Sequence, residues 1–140
     1  MEGSININRT VEEVFAYVTD VANLANWDRQ AGQSEQTSEG PVALGTTYRG
    51  SYEILGKTMD WTSEITEYEP NRKVVQKIDM GPTVMTMGWL LEPVEGGTRF
   101  TISSEGYLGG LAKLAGPVLD RTMKKQMEDN LARLKALLEG

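Results

Sequence analysis

The chain has 140 residues, 39% of them hydrophobic and 24% charged, with a formal net charge of -6. That length predicts one domain, residues 1–140, and the composition is that of a globular chain rather than a disordered one. The acidic excess disfavours nucleic acid as a partner. The lack of both cysteine and histidine excludes a thiolate nucleophile, an imidazole-based triad and a zinc site of the usual kind. No metal and no cofactor is expected. No basic region followed by an apolar run opens the chain, which points to the cytoplasm. Its longest apolar stretches fall far short of a membrane span, so stable membrane insertion is not expected.

Ser4-Ile5-Asn6-Ile7-Asn8 alternates as a short strand. Thr10 and Glu13 form a capping-box signal, and Val11, Val14, Phe15 and Val18 follow at helical spacing. Asp20 is a second N-cap signal, for a short helix from Val21 to Ala25 ending near Trp27. From about Gln33 to Tyr107 the helical period gives way to alternation. Gly40-Pro41, Leu55-Gly56-Lys57, Pro70-Asn71, Gly81-Pro82 and Gly96-Gly97 divide this stretch into about six strands joined by tight hairpins. The pattern predicts an antiparallel meander rather than βαβ units.

The C-terminal run returns to helix, with Leu119, Met123, Met127, Asn130 or Leu131, Leu134 and Leu138 on one stripe. Its opposite face carries i,i+4 pairs such as Lys124–Glu128, Lys125–Asp129 and Asp129–Arg133. Gly116-Pro117 predicts a kinked or broken lead-in to this helix.

Strand parity sorts the side chains, because one face of each strand is polar. Tyr48, Gly50, Tyr52 and Ile54 fall inside, as do Met59, Trp61, Ser63 and Ile65. Val74, Gln76, Ile78 and Met80 follow, then Met85, Met87, Trp89 and Leu91, and finally Phe100, Ile102 and Ser104. Only Glu67 brings a charge onto this face, near a strand end. A bulge would reverse the remainder of a strand.

An apolar sheet face and an amphipathic helix without a partner satisfy each other when the helix lies across the sheet. Six of the seven methionines, all but Met1, fall on these facing surfaces. The polar groups among them are few and neutral: Tyr48, Tyr52, Ser63, Gln76 and Ser104. Methionine fills irregular space and adapts to different partners, which suits a pocket wall. A Met and aromatic stripe by itself is more often plain core. Trp27 reads more as a plug fixing the short helices to the sheet than as a pocket wall.

The segment Ile5-Asn6-Ile7-Asn8-Arg9-Thr10-Val11-Glu12-Glu13-Val14-Phe15-Ala16-Tyr17-Val18-Thr19-Asp20, followed by Asn23-Leu24 and Asn26-Trp27, resembles the opening of the SRPBCC superfamily. That helix-grip group includes START domains and polyketide cyclase-like proteins. Ile65-Thr66-Glu67-Tyr68-Glu69-Pro70-Asn71-Arg72 is similar to its strand-to-turn segment, and Gly97-Thr98-Arg99-Phe100-Thr101 to its final hairpin. The resemblance implies an α+β helix-grip fold. A curved antiparallel sheet of about seven strands would carry two short helices, with the long C-terminal helix across its concave face. It also implies a cavity between sheet and helix for a hydrophobic, lipid-like or polyketide-like ligand, and shifts the Met-rich surface from core toward pocket lining.

The expected ligand-binding set is Tyr48, Tyr52, Met59, Trp61, Ser63, Gln76, Ile78, Met85, Met87, Trp89, Phe100, Ser104, Leu119, Met123 and Met127. No catalytic residue is assigned. Two functions compete: a monomeric or homodimeric binding protein for a hydrophobic small molecule, and a cyclase or aromatase-like enzyme catalysing aldol closure or dehydration. Aldol chemistry needs a proton acceptor in the cavity. The inner face offers Tyr48 or Tyr52, or Arg49, Glu64 or Glu105 if the register slips. Binding is therefore ranked first, and a charged side chain pointing into the cavity would raise the enzyme reading.

Overall fold

The computed structural model describes residues 1–54, 56–81, 83–107 and 110–140, with side chains described outside 107–120. Strand β1 (Glu2–Ile7) leads into helix α1 (Val11–Thr19). Thr10 caps α1 as its sequence predicts, with Oγ1 accepting from Glu13 N at 3.2 Å. The Glu13 carboxylate sits 3.6 Å from Arg9 Nε. Val14, Phe15 and Val18 are buried, so the apolar stripe of α1 faces the core. Asp20 is the second cap and accepts from Ala22 N at 3.0 Å. The short helix expected after it forms in two pieces, a 3-10 turn at Val21–Asn23 and the single-turn helix α2 (Leu24–Trp27).

Strands β2 (Ala31–Gln36), β3 (Thr47–Ile54), β4 (Lys57–Glu69), β5 (Lys73–Met80), β6 (Thr83–Val94) and β7 (Gly97–Tyr107) follow as the meander. With β1 antiparallel to β7 they form one curled seven-stranded sheet, ordered β1-β7-β6-β5-β4-β3-β2. The β4–β5 turn places Asn71 at φ 63°, a left-handed conformation that asparagine tolerates better than most residues. The turn signals at Leu55 and Pro82 lie outside the described residues.

Parity holds along most of the sheet. Trp61, Ser63 and Ile65 of β4 are buried while Asp60, Thr62 and Glu64 are exposed. Gly50 stands opposite Trp61, and a Cβ there would lie 2.7 Å from Trp61 Cζ2. Glycine thus leaves room for the Trp61 ring beside β3. One assignment is corrected. A bulge between Ile65 and Glu67 shifts the β4–β5 register, so Glu67 turns outward and pairs with Lys73 at 3.4 Å. Tyr68 comes inward in its place, its ring edge-on to Phe15 at 5.7 Å.

Helix α3 (Gly110–Glu139) closes the concave face. It is a single element from Gly110 to Glu139, so of the kinked or broken lead-in expected at Gly116-Pro117 the break does not occur. Leu131 and Leu134 are fully buried, and a Cβ on Gly3 of β1 would lie 2.8 Å from Met127 Sδ. The missing side chain of Gly3 brings β1 and α3 together. Lys135 Nζ donates to Asn6 O at 2.8 Å, and Glu139 accepts from Asn8 N, fixing the end of the helix to β1. Of the predicted surface pairs, Lys125–Asp129 forms at 3.5 Å. Arg133 turns inward instead and donates to Trp27 O and Asn130 Oδ1.

Candidate functional site

Between the sheet, α2 and α3 lies a cavity of about 170 Å³. The meander supplies its wall because every second residue of β3–β7 points to the concave face. Tyr48 and Tyr52 come from β3, Trp61 from β4, Gln76 and Ile78 from β5. Met85, Met87 and Trp89 come from β6, Ser104 from β7, and Met123 and Met127 from α3. Three other residues of the expected set sit elsewhere. Phe100 has no exposed surface and packs behind the wall, 6.2 Å from the Trp89 ring and 6.3 Å from that of Trp27. Ser63 is buried beside the cavity, and Met59 packs against the rim of the core. Leu119 falls among the residues whose side chains are not described. Trp27 does both jobs considered for it, since it plugs α2 into the core at 2% exposure and also lines the cavity. Met1, set apart from the other methionines by its position, lines it too.

The residue that strand parity missed is Asp28. It follows α2, outside any strand, where alternation has no purchase. Its place immediately after the Trp27 plug is the signal that could have found it. Asp28 Oδ1 accepts from Gln30 N at 3.1 Å, Tyr52 Oη at 3.2 Å and Asn130 Nδ2 at 3.1 Å. Asn130 is itself fully engaged. Its Nδ2 also donates to Gln30 Oε1 at 3.0 Å, while its Oδ1 accepts from Arg29 N at 3.3 Å and Arg133 Nη1 at 3.0 Å. This network joins β3, the α2–β2 connection and α3 at one end of the cavity.

Burial pushes the Asp28 carboxyl above the ordinary aspartate range, although its hydrogen bonds oppose the shift. Tyr52 is raised by burial and then by the adjacent Asp28 carboxylate. Tyr48 is pushed up to about 12, chiefly by burial. Neither phenol therefore serves as a base at neutral pH. An acid whose pKa is raised on folding binds its proton more tightly in the folded state. Its stabilising contribution is complete below the unfolded aspartate pKa and is lost as pH rises through the raised value. The stability of the wild type relative to Asp28→Asn is thus expected to fall as pH rises from about 4. Urea unfolding of both proteins across pH checks this, and a difference that stays flat or rises would contradict it.

The described lining contains no lysine or arginine. Among the described residues Trp27 Nε1, Trp89 Nε1 and Gln126 Oε1 are buried without hydrogen-bond partners, and all three residues line the cavity. Among the described residues no group of three or more acidic side chains could hold a metal ion. Among the same residues, no helix is long and apolar enough to cross a membrane.

The family model for polyketide cyclase/dehydrase and lipid transport proteins matches residues 1–139. The chain belongs to this family. Solved structures agree on the SRPBCC-type fold that the N-terminal segment resembles. A Thermus thermophilus protein is 18% identical, with a TM-score of 0.80 over 99% of this chain and 95% of its own. A Rhodobacter sphaeroides protein is 23% identical, with a TM-score of 0.72 over 99% and 90%. A protein in the dynemicin biosynthetic locus is 21% identical, with a TM-score of 0.70. That match takes in 99% of this chain but 46% of the other. No curated protein sequence matches significantly. As a polyketide cyclase/dehydrase and lipid transport family member, the chain has the family's curled sheet and long C-terminal helix, with a Met-rich apolar cavity between them.

Proposed function

We propose that the protein binds a hydrophobic small molecule, lipid-like or polyketide-like, in the cavity between the sheet and α3, as one domain over residues 1–140. The observation that carries this reading is the cavity itself, whose walls are aromatic and thioether groups with polar atoms gathered near Asp28. Apolar ligand area removed from water contributes about 25 cal/mol per Å². A cavity of about 150 Å³ holds benzene, so the space of about 170 Å³ suits a ring-sized group. The Met80, Met85, Met87, Met123 and Met127 side chains can rearrange to admit more. Native mass spectrometry of gently purified protein, followed by organic extraction, is expected to reveal a retained apolar molecule. An empty protein that also fails to bind n-propylbenzene would overturn the reading.

A second reading, an enzyme of the cyclase or dehydratase type, is favoured by one feature, the Asp28 carboxyl on the cavity wall. A carboxylate of raised pKa is a better base than an ordinary one. In such a step the C–H bond next to a ligand carbonyl breaks, the proton passes to Asp28, and the electron pair goes into the enolate. Deuterium exchange at the α-carbon of 2-tetralone in D₂O, followed by NMR, is then expected to be faster with the wild type than with Asp28→Asn. Equal rates would remove this reading.

A further inference from the structure

The three hydrogen bonds to the Asp28 carboxyl converge on Oδ1, from Gln30 N, Tyr52 Oη and Asn130 Nδ2. The backbone N–H of Ala31, which donates to Asp28 O at 3.2 Å, also stabilises the carboxylate. Among the described residues no side chain donates to Oδ2, and Asp28 lines the cavity. One turn before Asn130 on the same helical face stands Gln126, whose Oε1 is buried without a donor and which also lines the cavity. Among the described residues this end of the cavity therefore holds one buried acceptor without a donor, Gln126 Oε1, and one that no side chain reaches, Asp28 Oδ2. Among the same residues Trp27 Nε1 and Trp89 Nε1 are two donors that lack an acceptor. Buried polar atoms left unpaired are costly, so a matched ligand gains by pairing them.

We propose that the ligand presents a hydroxyl group to Asp28 Oδ2, and that Asp28 is the residue that selects this headgroup. A hydroxyl donates to an acceptor and accepts from an indole N–H at once. A carboxylate cannot donate, and it meets the Asp28 carboxyl with no lysine or arginine in the described lining to compensate. An ammonium cannot accept from the indoles. The inference rests on the cavity-binding reading and narrows it to neutral alcohols or phenols on an apolar frame.

Asp28→Asn tests the point at a single atom. The three donors hold an acceptor at Oδ1, so the amide NH₂ falls where Oδ2 was and turns an acceptor into a donor. NMR titration at pH 8 would compare ligands of nearly equal size: 2-phenylethanol, benzyl methyl ether, phenylacetate, 2-phenylethylamine and n-propylbenzene. The wild type is expected to bind 2-phenylethanol roughly tenfold or more tighter than benzyl methyl ether, which accepts but cannot donate. Phenylacetate should bind most weakly. In Asp28→Asn the alcohol's advantage is expected to vanish and the ether and carboxylate to gain, which a merely damaged fold would not produce. Equal binding of alcohol and ether by the wild type, tighter binding of the amine than the alcohol, or an unchanged order in Asp28→Asn would each overturn the proposal. If n-propylbenzene still binds in those cases, the cavity-binding reading survives alone. If none of the five binds, both fall.

Discussion

Replacing Trp27 with alanine is expected to lower the stability of the fold by about 3–5 kcal/mol, the range for removing a large aromatic side chain from a packed core. The indole is 2% exposed and meets the Trp89 and Phe100 rings edge-on at 6.0 and 6.3 Å. It is the contact through which α2 is seated on β6 and β7, so its removal opens a void between layers that cannot easily collapse. Urea unfolding monitored by circular dichroism measures the loss. Leu44→Ala, at a residue 68% exposed, is the matched control and should change stability by no more than about 0.5 kcal/mol. Equal effects at the two positions would mean that Trp27 does not act as a plug.

Asn130→Ala is expected to cost about 2–3 kcal/mol, although it removes little apolar surface. Asn130 is 5% exposed and makes four hydrogen bonds, with Asp28, Gln30, Arg29 and Arg133. Its loss unpairs groups in the α2–β2 connection and on α3 at once and frees the Asp28 carboxyl from α3. Ligand affinity should fall along with stability, because the same bond holds the polar end of the cavity. Disrupting the exposed Lys125–Asp129 pair on the other face of α3 should change neither appreciably. Unfolding and NMR titration of the two variants check both halves. A loss below about 1 kcal/mol at Asn130 would show that water replaces the network.

Asn130 and its partner Asp28 mark the limit of what a linear reading recovers. Strand parity places Tyr48, Tyr52, Trp61, Gln76 and Trp89 on one face, and the structure brings all five to the cavity. Parity works there because each strand has one wet face, so every second residue reports its own environment. It fails at Glu67, where the bulge after Ile65 inserts a residue and turns the remainder of β4 over. It cannot address Asp28 at all. A carboxylate after a short helix looks like a solvated loop residue until Tyr52 and Asn130, distant along the chain, are seen to donate to it.

Asn130 itself is legible only as an ambiguous position on the helical stripe beside Leu131. Both are buried, Leu131 in the core and Asn130 in the network. Helical period assigns a residue to a face, but the partner opposite that face comes from another element.

By itself the sequence determined the helix caps at Thr10 and Asp20, the six-strand meander, most of its inward-facing residues and the resemblance to the family. Each is a local or periodic property, set by backbone preference and by the alternation of polar and apolar side chains. Only the tertiary structure decided that Phe100 packs behind the wall while Trp89 lines it, that α3 runs on through Pro117, and that a carboxyl stands at the polar end of the cavity. Those outcomes depend on which surfaces meet across the sheet. Packing distances and hydrogen bonds between residues far apart in the chain decide that, and no window of sequence contains them.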